Sequence, residues 1–353
     1  MEFNSFVYGY CFLSSFLTAG FHIFDLQTRR QPAFASGQNN AEFRKFQNSF
    51  LVGYLPCLFA DSLQAPYLYF LYQSYGFLEA QIAMLYVVGF LTNVVFTIVT
   101  VYLVQRTERR MLCLLFVGIN SFSCLMKFSD SYAVLMVSRV LDGIATNIWF
   151  GSQEWYVHNH VNVHDFPKEW IPLTFKKTAT VHGYLAVAAG FLAEASESAS
   201  RITAFPFLLA IPVLIGGGFW IFRNWAENRA EQGPRTKFSS QFSGGLKIIF
   251  QNPNVFLLSS VQSLFESCIY MFVFLWTPLF LYLKPLVSVR PAFGGIYSAF
   301  MASVLLGTIV QRILSRRVAA VSLLNLATAL GFVSLALAVA LMYPGSRGVG
   351  HFQ

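Results

Sequence analysis

A chain of 353 residues that is 56% hydrophobic, 17% aromatic and only 11% charged cannot clothe itself in the polar surface that a water-soluble protein of that size needs. Its mean hydropathy is +0.55. The net charge of +8 would suggest nucleic acid in a soluble chain, but here the basic residues lie in short loops between apolar runs and form no basic–aromatic module, so no nucleic-acid partner is expected.

Apolar runs long enough to cross about 30 Å of hydrocarbon recur, and a helix pairs all its own backbone groups there. The fold class expected is an all-α, polytopic bundle embedded in a lipid bilayer. The first run, 3–24, lacks a basic leader and a small-residue cleavage site and reads as a membrane helix or uncleaved anchor. It is followed by a loop with Arg29, Arg30, Arg44 and Lys45 around QPAFASGQNN. Further helices are predicted at 47–70, 79–104, 110–126, 131–157, 178–199 and 204–222, then at 255–283, 293–314 and 320–343. The chain thus divides into 1–46 (anchor and basic loop), 47–222 (a six-helix half), 223–254 (a long polar loop) and 255–353 (three helices of a second, incomplete half).

Lysine and arginine test this layout. Alternate loops hold eighteen of them and the opposite loops five, which places the 223–254 loop in the cytoplasm and the N-terminus outside. Six helices, a central cytoplasmic loop and a second half is the layout of major facilitator transporters, whose halves rock about a central site. The five cysteines (Cys11, Cys57, Cys113, Cys124, Cys268) are scattered without a C-x-x-C pair and read as free thiols.

Polar residues at bilayer depth are the candidates for function, because a charge there costs about 2–3 kcal/mol on insertion scales and so tends to face a wet cavity or a partner helix. Asp61 and Gln64 lie well inside the first core helix. In SRVLDGIATNIWF, Arg139 sits about 12 Å into its helix at 1.5 Å per residue. A guanidinium stays charged and forks its donors toward an oxyanion, so Arg139 is a candidate substrate or gating group; an ion pair with Asp142, one turn on, is the structural alternative. Asn147, two turns further on, is expected to line the same face. Gln262 and Glu266, one turn apart in the seventh core helix, echo Gln64 and Asp61 and give each half an amide and a carboxylate. For each of these, a hydrogen bond that only fixes packing is the alternative.

VYLVQRTERR at 101–110 ends in Arg109 and Arg110, a partial match to the G-x-x-x-D-[RK]-x-G-[RK]-[RK] loop of general facilitators, with Gln105 at the aspartate position. His158, His160 and His164 stand at metal-like spacing, but at a cytoplasmic helix end they read as caps or solvated rings, so no metal is expected. Glu154, Trp155 and Tyr156 read as an interfacial belt edged by one acid. No nucleophile–base constellation, cofactor motif or P-loop is present, which removes an enzyme, a bound cofactor and direct ATP drive from the reading.

The runs ADSLQAPYLYFLYQSYGFLEAQIAMLYVVGF, NHVNVHDFPKEWIPLTF and VQSLFESCIYMFVFLWTP closely resemble the molybdate-anion transporter family, a branch of the major facilitator superfamily. Asp61, Leu63, Gln64, Pro66, Tyr67, Leu68 and Tyr69 match its D-x-L-Q-x-P-Y-L-Y run, and Phe265, Glu266 and Ser267 its F-E-S motif. Arg139 matches its fourth-helix arginine. Departures are Gln105, Asp142 where a small residue is expected, a shortened E-A-W-Y motif at Glu154, and absence of the family's last helices. The resemblance implies uptake of molybdate. The reading expected is a secondary transporter of molybdate or a related oxyanion working by alternating access in the plasma membrane, in which Asp61 or Glu266 carries a coupling proton or couples helix movements, because a carboxylate in low dielectric can titrate near neutrality. The alternatives are transport of another small solute such as a sugar, and a truncated membrane protein that does not transport.

Overall fold

The computed structural model describes residues 2–28, 40–227, 238–282 and 291–346. Arg29, Arg30 and most of the QPAFASGQNN loop lie outside the described residues, as do Arg229, Arg235, Lys237, Lys284, Arg290, Arg347 and the side chain of Gln105.

The described residues are helical throughout, in the order α1 (Glu2–Thr28), α2 (Ala41–Gln64), α3 (Leu68–Ser74), α4 (Glu79–Arg106), α5 (Arg109–Met126), α6 (Tyr132–Ile148), α7 (Phe150–His158), α8 (Ile171–Ser200), α9 (Phe205–Asn224), α10 (Phe238–Gln251), α11 (Pro253–Tyr282), α12 (Phe293–Leu314) and α13 (Ala320–Ser346). Among the described residues, eight helices are long and apolar enough to cross a membrane. A helix forms in each of the ten predicted segments, but those at 41–64 and 171–200 are not among the eight. The polar stretch 223–254 differs from the expected loop: it carries α10, whose apolar side chains Phe242, Leu246, Ile248 and Phe250 stay exposed.

α2 and α3 are one rod broken at Ala65–Tyr67, a tight 3-10 turn with Pro66 inside it. Proline has no N–H to give the preceding turn, so the rod is offset here and the chain on either side of the break faces the bundle interior. Gln64 and Tyr67, which flank Pro66, are buried. Gly76, at φ +85, supplies the left-handed turn into α4 that a side chain would strain.

Close helix crossings organise the bundle. On α6, a Cβ at Gly143 would stand 2.8 Å from the Gly89 carbonyl of α4, so the two backbones touch. At the basic end, which carries the first turn of α2 and α8 and the last of α9 and α12, Phe46, Phe50, Trp155, Tyr156, Trp170 and Trp225 form an aromatic core; Trp155 and Trp225 stack at 4.1 Å. Trp155 and Tyr156 are therefore not the interfacial belt the sequence suggests, because α7 turns them inward against α2 and α9. His160 is likewise fully buried rather than solvated, its ring between the Tyr156 hydroxyl at 3.4 Å and the Pro167 carbonyl at 2.9 Å, so that it caps a carbonyl as expected.

α1 packs along α12 and places Val7 and Cys11 in the main hydrophobic core. Its buried Asp25 is held by Arg316 and, at 3.6 Å, by Arg312; Arg312 also donates to Thr180 of α8 at 2.7 Å. Removing one partner of a buried ion pair costs about 3–5 kcal/mol. Asp25→Ala is accordingly expected to lower the melting temperature of the detergent-solubilised protein by several degrees, and an unchanged melting curve would deny Asp25 a part in docking α1.

Candidate functional site

Of the polar residues singled out above, Gln64 and Arg139 come together with Lys127 and Asp142 where α2, α5 and α6 meet, with Asp61 beside them. Asp142 on α6 sits between two cations: its Oδ2 accepts from Arg139 Nη1 at 3.1 Å, and its Oδ1 from Lys127 Nζ at 3.0 Å. Ser123 also donates to Oδ1. Lys127 Nζ reaches Gln64 Oε1 at 3.3 Å and Ser123 Oγ at 3.1 Å. Arg139 has two further restraints, its Nε donating to the Leu85 carbonyl at 3.3 Å and its guanidinium lying 5.2 Å from the centre of the Tyr86 ring. The local ion pair of Arg139 with Asp142 forms, and the pair is part of a larger charged cluster.

Lys127 is the residue the sequence misplaces. It caps the end of α5, where it counts as a loop lysine, yet its side chain turns back along its own helix and is 1% exposed. Lysine side chains lean toward the N-terminus of a helix, so a cation at a helix end can deliver its charge about a turn deeper than its backbone.

Asp61 is exposed one turn before Gln64, within electrostatic reach of Lys127, Arg139 and Asp142. Beside it, Ser62 Oγ lies 3.3 Å from His182 Nε2 on α8 and hydrogen-bonds the Tyr297 side chain of α12. His182 and Tyr297 gave no local signal in the sequence; only tertiary packing sets them beside Asp61.

Arg139 fits against α4 because residue 89 is glycine: a Cβ there would stand 2.6 Å from Arg139 Nη2. Gly89→Ala is expected to push the guanidinium off Leu85 and Asp142 with little loss of thermal stability, because the far end of a flexible side chain gives way; a melting temperature lowered by many degrees would show that Arg139 cannot move.

Other expected site residues lie elsewhere. Asn147 is fully buried and clasps α4: its amide donates to the Asn93 carbonyl at 2.8 Å and to the Gly143 carbonyl at 3.0 Å, and its Oδ1 accepts from Thr97 at 2.8 Å. That use of its polar atoms makes it a clasp rather than a wall of the pathway. Asn147→Leu is expected to destabilise the protein by about 1–3 kcal/mol, read as thermal unfolding, by leaving partners on α4 unsatisfied. Gln262 donates to Glu266 at 2.7 Å on an exposed face of α11. Arg110 ties α5 to the end of α9 through the Trp225 carbonyl at 3.2 Å and Glu227 at 3.4 Å. Arg109 keeps Nε and Nη1 buried without an acceptor, and Glu154 is exposed.

A second constellation, which sequence reasoning also missed, joins α8 to the start of α12. Glu194 Oε2 accepts from the Gly294 N–H and from the Tyr67 hydroxyl, each at 2.8 Å. Phe293 packs against Tyr67, Phe70 and Trp276 around it. Farther along the seam, Ser298 donates to the Val187 carbonyl at 2.8 Å.

Comparison with known proteins accords with a transporter bundle. The family model described as sugar transporters with 12 TM matches residues 11–351. A molybdate-anion transporter of Takifugu rubripes is 41% identical over 313 residues, 82% of this chain and 64% of its own length. That of Danio rerio is 40% identical over 297 residues (78% and 60%), and that of Xenopus tropicalis 41% over 276 (78% and 59%). The chain thus spans under two thirds of the length of these relatives. With its family model matched across nearly the whole chain, this protein is an integral, multi-pass membrane protein belonging to the 12-TM transporter family of the major facilitator type.

Proposed function

We propose that the chain mediates uptake of molybdate or a related tetrahedral oxyanion as a secondary transporter working by alternating access. The observation that carries this reading is the pair of buried cations, Lys127 and Arg139, on one side chain cluster inside the bundle. Charges at that depth are expensive and are kept where an ion pathway needs them. A neutral sugar has no use for two fixed cations, whereas an oxyanion does; the names of the relatives point the same way.

Asp61, exposed beside the cluster, is the candidate carrier of a coupling proton, and Gln64 holds Lys127 in place. Glu266 with Gln262 is the corresponding pair of the second half. Arg109, Arg110 and Glu154 belong to the cytoplasmic gate, with the basic end facing the cytoplasm. The seam of α8 and α12 joins the six-helix half to the second half, and rocking about it would expose Asp61 to each side in turn.

The sugar reading retains one observation, the family description, together with the aromatic rings around Phe293 on which a sugar could stack. Accumulation of labelled molybdate in cells expressing the chain separates the two. Sulfate is expected to compete and a hexose not to; competition by hexose alone would transfer the proposal to sugars.

A further inference from the structure

We propose that Lys127 is the second cation of the oxyanion site, and that Asp142 fills this site as an internal counter-anion which the incoming dianion displaces. The inference rests on the oxyanion reading above and goes beyond it by naming the residues that bind, and the residue that yields.

The argument begins with how Asp142 is held. It spends one carboxylate oxygen on each cation, Oδ2 on Arg139 and Oδ1 on Lys127, so it spans the two as an anionic substrate would. Its side chain is 18% exposed, against 2% for that of Lys127 and 9% for that of Arg139. The carboxylate therefore lies on the accessible side of the cluster, and its departure would uncover both charges. Counting Asp61, which lies within electrostatic reach of both cations, the cluster is balanced while that carboxylate is ionised and carries one net positive charge when it is protonated, a charge that a second anion can use.

Tyr72 supplies an independent observation. It is fully buried on α3, its hydroxyl has no hydrogen-bond partner, and it lies within electrostatic reach of Arg139 and Asp142. A buried hydroxyl without an acceptor is costly, and native structures keep few of them. An acceptor oxygen arriving beside Arg139 would satisfy it. A tetrahedral dianion has four such oxygens and can serve Lys127, Arg139 and Tyr72 together. A cluster that served packing alone would need neither the second cation nor an idle donor.

Equilibrium binding of labelled molybdate to the purified 353-residue chain in detergent, repeated with sulfate, tests this. Lys127→Gln is expected to weaken binding at least about tenfold, the scale of one charge-assisted contact, and Lys127→Arg to recover part of that loss. Tyr72→Phe is expected to weaken it about threefold to tenfold without loss of thermal stability, since its hydroxyl has no partner to lose. The decisive variant is Asp142→Asn, which removes the internal competitor and is expected to bind several-fold more tightly than wild type. A purely structural carboxylate would give unchanged or weaker binding on that substitution, and either result overturns the proposal. If Lys127→Gln or Asp142→Asn fails to fold, Tyr72→Phe decides, and unchanged binding by it counts against the site. A wild-type chain that binds neither oxyanion defeats the oxyanion reading itself, an outcome distinct from binding that is indifferent to Lys127, Asp142 and Tyr72.

Discussion

Arg139→Gln is expected to reduce oxyanion uptake by about a hundredfold or more while the helices remain assembled. The size follows from loss of a buried, charge-assisted contact, which costs about 2–5 kcal/mol, and each 1.4 kcal/mol is a factor of ten. Retention of the fold follows from the cluster's geometry. Asp142 keeps Lys127 at 3.0 Å and its bond from Ser123, so the substitution does not strand a buried carboxylate. Glutamine also keeps an amide that can still donate toward the Leu85 carbonyl. Uptake and size-exclusion behaviour should be read together. A monodisperse protein with wild-type uptake would remove Arg139 from the site and leave it as the structural ion pair.

The second large effect belongs to the seam. On α12, a Cβ at Gly294 would be in hard contact with the Gly190 carbonyl, and 2.7 Å from Glu194 Cβ and 2.9 Å from its backbone nitrogen. Two of these three atoms are backbone, so the only relief is to part the helices. Parting them would also pull the Gly294 N–H from Glu194 and loosen Phe293 from Tyr67 and Trp276. Gly294→Leu is therefore expected to cost about 3 kcal/mol or more, at the upper end of overpacking penalties, and to abolish a cooperative melt or the folded yield. Gly307→Ala on the same helix is the control. Nothing lies within 4 Å of its would-be Cβ, and alanine is the better helix former, so neutral or slightly raised stability is expected there. Equal melting of the two variants would refute the tight seam.

Much of this architecture was legible from hydropathy because a bilayer allows so few solutions: a run of about twenty apolar residues has to be a helix. Asp61, Gln64 and Arg139 stood out for the same reason, as polar groups in segments where they are costly. The misses share a physical cause. Lys127 ends a helix, so its position in the chain says loop while its side chain says interior. Trp155 and Tyr156 have the amphipathic character of interface residues, and only the packing of α7 on α2 and α9 turns them inward. Glu194, His182 and Tyr297 owe their roles to partners a hundred or more residues away, at 2.8 Å across α8 and α12 for Glu194 and beside Ser62 for the other two. Asn147 stood out as a polar residue at depth. Its use as a clasp depends on Asn93 and Thr97 of α4, which sequence alone could not pair with it.

The most direct test of the central claim is flux through the purified chain reconstituted in liposomes, with labelled molybdate outside and a proton gradient imposed inward. Time-dependent, saturable entry that sulfate suppresses, that a hexose leaves alone and that Arg139→Gln abolishes is the expected result. Entry no faster than into protein-free liposomes, or flux of hexose in place of molybdate, would contradict the account.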